Sequence, residues 1–522
     1  MSHKRNSRTK ITPPWLTRNV SHQHNGCLIS NLLFNSLINQ RPSSTTVPTF
    51  PSRFEMAPLG LYSLPTELRV LVLESVASPH DLLSLITTSK QYYNTFVRTP
   101  ERILAQVLRN SFGVNLRHAL GAFHASRLRA IYVVRRAEER EKAKEAVESL
   151  LSDYHHDCLE LPTNRADLSQ LSRLFFITQK FMTDYGVRST QLLTGQRHVI
   201  PPLRSLSYTE VLQRHPLSLS ATEETRLRRA FLRFDMYCQC FPLSSRLRFQ
   251  LFFREDQARL FLSQLSGWEI EEMCCVHQYL IAIAEAAVLG VENDFVDEVV
   301  DAAAGYPQLW GKRRPKRCRS LTGPNGVKVS KVRRFDLLGL ELFITKDHNW
   351  TRGERIAGIA SHGLSFLADL LFGDKATRRT RFETSHCAGN FLDEAAKELV
   401  ANSLGPIPGL DTQLEFDGTE SWDRYNYGWS LLAATSWYVM TVPSRWRPRR
   451  PERDLGYVFW DAARLRDADI RDADIQRCLV FPKWERRSAQ QRLKDVCLPF
   501  SLLKSIAKQY SSDKGYSSTM RY

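Results

Sequence analysis

Between Trp268 and Val288 the chain sets Ile270, Met273, Cys274, His277, Ile281, Ala284 and Val288 at helical spacings, which gather side chains on one side of an α-helix. A strand alternates its faces residue by residue and could not line up such a stripe. The pattern returns at Leu227, Ala230, Phe231, Phe234 and Tyr237 within Ala221 to Cys238, where Thr222 reads as the cap. Glu269, Glu271 and Glu272 fall near the start of the first of these segments, where acidic side chains suit the helix dipole. Further helical signals run over Ile356 to Phe372, Asn390 to Ser403 and Ser430 to Met440. The expected fold class is all-α.

A chain of 522 residues with 43% apolar content can bury a large core. Residues 1–55 carry seven Lys or Arg before Glu55, five prolines and much Ser, Asn and Thr, a composition that reads as a disordered basic tail. Dense helical periodicity begins after Met56, which also reads as a usable second start of translation. The organisation expected is a small helical unit over 56–100, a large mainly helical domain with long loops over 101–510 and a loose tail over 511–522. Arg466-Asp-Ala-Asp-Ile470 recurs once as Arg471-Asp-Ala-Asp-Ile475, too short a repeat to build a solenoid.

Few of the residues that carry chemistry have the spacing it requires. Cys238, Cys240, Cys274, Cys275 and His277 fall in apolar helical stripes without Cys-x-x-Cys spacing, so they read as core rather than a zinc site. His155-His-Asp-Cys158 is a denser ligand set but lacks a second half elsewhere. Gly358-Ile-Ala-Ser361-His-Gly363 is one residue longer than a nucleophile elbow and opens a helix-like run. No phosphate-binding loop or dinucleotide fingerprint occurs. No catalytic residue, metal or cofactor is expected.

The formal charge of +17 is partly clustered, with ten Lys or Arg and no acid between Gly305 and Phe335. Lys312, Arg313, Arg314, Lys316 and Arg317 open this proline- and glycine-broken stretch, which reads first as a solvated exposed loop, then as a nuclear import signal and last as a nucleic-acid patch. The stretch from Leu321 to Arg334 has no aromatic before Phe335 to stack on a base, which argues against a nucleic-acid reader. The most apolar run, Tyr279 to Val291, carries Glu285 and is short for a membrane span. Ten cysteines in so long a chain make no disulfide framework, and an intracellular protein, cytoplasmic or nuclear, is the expectation.

One segment suggests a function. Leu64-Pro65-Thr66-Glu67-Leu68 begins a helix with proline in its first turn and an acid near its positive end. Leu68, Leu71, Val72 and Val76 follow as an apolar face. Ser78-Pro79-His80-Asp81 punctuates the chain in a capping-box-like arrangement, Leu82-Leu-Ser-Leu-Ile86 follows, and Ser89 to Val97 closes the segment with Tyr92, Tyr93 and Phe96. Three such short helices cannot enclose their own apolar groups, so a partner or the following domain must cover some of them.

This pattern from Leu59 to about Val97 resembles an F-box of the kind found in fungal F-box-like proteins. Its ending, Ser89-Lys-Gln-Tyr-Tyr93, stands where many members carry Cys-Arg-x-Trp/Phe. The resemblance implies a non-catalytic receptor that binds a Skp-type adaptor and, through it, a cullin-RING ubiquitin ligase, with the downstream domain choosing the target. By the same resemblance Leu64, Pro65, Leu68, Val72, Leu82, Leu83 and Ile86 meet the adaptor or hold the helices that do. Two alternatives remain: a structural or interaction protein whose F-box-like segment has lost its adaptor, and a basic nuclear protein acting through the Lys312 loop.

Overall fold

The computed structural model describes residues 64–129, 137–194, 218–243, 250–304, 352–385, 391–402, 426, 428–429 and 451–468. Of these, 82% are helical and none lies in a strand, so the fold is all-α. The Lys312 to Arg317 loop, the Ser430 to Met440 segment and both tails lie outside the described residues.

The first helices are α1 (Thr66–Glu74), α2 (Pro79–Thr88), α3 (Lys90–Arg98) and α4 (Pro100–Phe112). Their starts follow local chemistry. Pro65 stands at the N-cap of α1, the Ser78 hydroxyl accepts the Asp81 N–H at the start of α2, and the Ser89 hydroxyl does the same for Tyr92 at the start of α3. Pro100 opens α4, where its missing N–H leaves no helical bond unmade. Helix α4 packs against α1, α2 and α3 and so covers much of the apolar surface that the three cannot bury among themselves.

Beyond it come α5 (Leu116–Leu128), α6 (Ala137–His155), α7 (Arg165–Leu193), α8 (Ala221–Cys240), α9 (Arg254–Leu260) and α10 (Gly267–Ala304). Helices α11 (Arg352–Ala360), α12 (Leu364–Phe372), α13 (Lys375–Thr384), α14 (Phe391–Asn402), α15 (Pro451–Leu455) and α16 (Ala462–Asp467) complete the described part. Helix α8 sits at the centre, against α5, α7 and α10, while α10 also contacts α11, α13, α14 and α15. One continuous apolar core runs from Leu73 in α1 to Leu465 in α16, and α4 joins the first helices to the rest through its contact with α7.

Three local expectations are corrected. The cap of α8 is Ser220, whose hydroxyl accepts the Glu223 N–H while the Glu223 carboxylate accepts the Ser220 N–H; Thr222 already lies inside the helix. This reciprocal pair satisfies two end groups at once, which Thr222 could not do from the first turn. Ile356 to Phe372 is two helices, with α11 and α12 bent by 110° at a three-residue break. Gly363 sits there at φ +91°, where a Cβ would be strained and would also come within 2.5 Å of Asp235 Oδ1.

The third correction concerns burial. Helices α8 and α10 were expected to bury one stripe each, but residues 229–241 and 265–280 are buried without interruption. Gly267–Val291 is by length and composition apolar enough to cross a membrane, yet 72% of its most apolar window is buried inside the molecule. Here it is a core helix, surrounded by neighbours.

Candidate functional site

The seven residues assigned by the F-box resemblance divide into two groups. Leu82, Leu83 and Ile86 are buried on α2, where they join the core with Leu73, Tyr92 and Phe96. Leu64 and Val72 are half-buried, Pro65 is exposed and Leu68 is 45% exposed. Leu71 is 55% exposed. Leu64, Leu68, Leu71 and Val72 are spaced by four, three and one residues, which places them along one side of α1 and the approach to it. The face first read as Leu68, Leu71, Val72 and Val76 is therefore largely the outward one, and Leu73 is the residue that anchors α1 inward.

The outward face is held in place from behind. The last carbonyl of α1 and two carbonyls of the turn that follows it find their partners on α4. Asn110 donates from Nδ2 to the Glu74 carbonyl at 2.7 Å and to the Val76 carbonyl at 3.2 Å, and the Ser111 hydroxyl donates to the Ala77 carbonyl at 2.8 Å. Arg102 adds an ion pair to Glu74 at 2.6 Å.

The most concentrated polar chemistry lies deeper, between α8 and α10. Arg229 donates to both oxygens of Glu272, at 3.1 and 2.7 Å, and Arg233 donates to Glu269 at 2.5 Å. The lower-numbered arginine meets the higher-numbered glutamate, so the two helices run antiparallel in this register. Arg233 also donates to the Tyr154 hydroxyl at 3.2 Å, which lies 2.8 Å from His118 Nδ1. On another side of α10, Arg453 from α15 grips Glu271 at 2.8 and 2.9 Å and reaches Asp393 at 3.1 Å.

Burial alone would raise the Glu269 carboxyl, but Arg233 and Arg229 outweigh it and hold it at about 2. His118 is held well below the ordinary imidazole value by burial, then by Arg233 and Arg117. His277 is lowered to about 4, chiefly by burial. The sequence signal for this network was present in the three acids at the start of α10, but a dipole explanation accounts for them equally well in isolation.

The Ser361 segment is the turn between α11 and α12. The Ser361 hydroxyl donates to the Gly358 carbonyl at 2.6 Å, and Arg129 holds His362 through its carbonyl and Nδ1, both at 2.6 Å. Asp235 on α8 accepts the Leu364 N–H at 2.7 Å and so caps α12 from another helix. Burial pushes this carboxyl up to about 6, against the pull of Leu364, Gln239 and Arg129. A raised value means that the folded state binds the proton more tightly. The associated stability is full below the ordinary value of 3.8 and is lost as pH rises through about 6. Asp235→Asn is therefore expected to gain on the wild type between pH 4 and 7, by on the order of 3 kcal/mol, in urea unfolding at each pH. A gap that stays flat across that window would contradict the assignment.

Among the described residues no group of three or more His, Cys, Asp or Glu is arranged to hold a metal ion. Cys238, Cys240, Cys274 and Cys275 are buried free thiols, and burial pushes Cys240 far up. His156, Asp157 and Cys158 lie exposed just past the end of α6, while His155 is half-buried at its end. Comparison with family models, with curated proteins and with solved structures gave no match for this chain.

Proposed function

We propose that the chain is an F-box-like substrate receptor whose α1 face docks a Skp-type adaptor, through which a cullin-RING ligase modifies a target held by the larger helical body. The observation that carries this reading is the accessibility of Leu68 and Leu71 at 45% and 55% beside Leu64 and Val72, on a helix whose other side is fixed to the core. Exposed leucines grouped on one helix face are a common form of docking surface. The resemblance of Leu59 to about Val97 to an F-box supplies the identity of the partner. Catalysis is assigned to the ligase and not to this chain.

Co-expression with a Skp-type adaptor tests the proposal. The expected result is a stoichiometric complex that survives size-exclusion chromatography and recruits the cullin. Recovery of a folded chain with no adaptor would favour the alternative, an interaction protein that keeps the helices but not the partner.

A further inference from the structure

The residues from Arg453 to Arg464 pack in the manner of a bound peptide. Tyr457, Val458, Phe459 and Trp460 are consecutive and each is at most 1% exposed, although the stretch is a series of turns between two short helices. Its backbone is satisfied partly by its own turns, with Gly456 N–H donating to the Arg453 carbonyl and Phe459 N–H to the Gly456 carbonyl, and partly by side chains from elsewhere. The Tyr185 hydroxyl donates to the Arg453 carbonyl at 3.0 Å, Asn426 donates to the Val458 carbonyl at 2.8 Å, and the Asp461 N–H donates to Glu223 at 3.1 Å. Gly456, at φ +65°, lies so close to Tyr185 that a Cβ would stand 2.8 Å from its hydroxyl.

The ends of the stretch carry the charge. Arg453 grips Glu271 on α10, and Arg464 grips Glu223 on α8 with two bonds of 2.8 and 2.7 Å. Both glutamates are almost completely buried, at 0% and 1%. Buried carboxylates without a partner are costly, so α8 and α10 carry two acidic sockets that this segment fills. Between them lies an apolar bed where Tyr185 on α7, Phe231 on α8 and Tyr279 on α10 meet edge to face, and Phe459 lies against Tyr185 with ring centroids 5.6 Å apart.

We propose that α7, α8 and α10 form a peptide-recognition groove, occupied in cis by residues 453–464, whose specificity is two arginines flanking an aromatic run. The segment is a self-docked clasp that binds through its own contacts rather than through chain continuity.

The test uses the full chain with a specific protease sequence inserted between Pro443 and Ser444. After cleavage the C-terminal piece is expected to co-elute with the body on a native column at micromolar dilution and to separate only in denaturant. In the Arg453→Gln/Arg464→Gln chain the uncut connection keeps the docking of the segment intramolecular. Once cut, affinity falls by at least about 100-fold, as for loss of buried charge pairs, and the piece elutes alone. Circular dichroism of the uncut variant shows whether it is folded; if it is not, Arg464→Gln alone, at the groove's edge, takes its place with partial release expected on dilution. The proposal is overturned if the wild-type pieces separate under native conditions, or if the cut arginine variant holds together as firmly as the wild type.

Discussion

Replacing Glu272 by alanine is expected to destabilise the fold by about 3–5 kcal/mol, because it leaves Arg229 charged in the core without its two-pronged partner. Arg229 and Glu272 have side chains 1% and 0% exposed, so water cannot enter to replace the lost carboxylate unless the helices part. Arg229 lies 3.8 Å from Glu269, but Glu269 is already engaged by Arg233 at 2.5 Å and cannot fully serve both. Denaturant unfolding of the full chain measures the effect. Replacing Arg229 and Glu272 together by methionine and leucine should recover most of the loss, since removing a buried pair entire costs far less than orphaning one member. A single substitution that costs under about 1 kcal/mol, the ordinary range for exposed pairs, would show that the pair is solvated in solution.

The second large effect is on association. Leu68→Asp with Leu71→Asp is expected to leave folding nearly unchanged and to abolish recovery of the Skp-type adaptor, with affinity lowered by at least about 100-fold, the consequence of desolvating carboxylates inside an interface. The fold tolerates the changes because both leucines already face solvent at 45% and 55%, and surface substitutions of this kind usually cost about 0.5 kcal/mol or less. Leu82→Asp provides the contrast. Leu82 is 0% exposed, so a carboxylate there should unfold the first helices and remove binding for a different reason. Thermal melting separates the two causes. If the Leu68/Leu71 variant, still folded, recovers adaptor and cullin as the wild type does, α1 is not the docking face.

Much of the architecture was legible in the sequence. The stripes at Leu227 to Tyr237 and Ile270 to Val288 predicted the two central helices, Ser78 and the Ser89 segment marked real helix starts, and the class all-α followed from the period alone. These signals are local: a cap or a stripe is made by residues within a few positions of one another, and their chemistry acts before any tertiary contact forms. What the sequence did not reveal is which of several apolar sides faces inward. Helix α1 carries Leu68, Val70, Leu71, Val72 and Leu73, apolar almost all round, and only packing against α3 and α4 decided that Leu73 is core while Leu68 and Leu71 face out.

The same reason explains the acids at the start of α10. Read alone, Glu269, Glu271 and Glu272 suit the positive end of a helix in water. The chain buries that end between α8 and α15, and arginines 36, 43 and 182 residues away become their partners. The period of a helix reports its own faces, whereas the charge that neutralises a buried glutamate and the helix that Asp235 caps are set by residues distant in sequence. The sequence by itself determined that this protein is built of helices; the tertiary structure decided which leucines face solvent and which charges the core can bury, because burial is a property of neighbours.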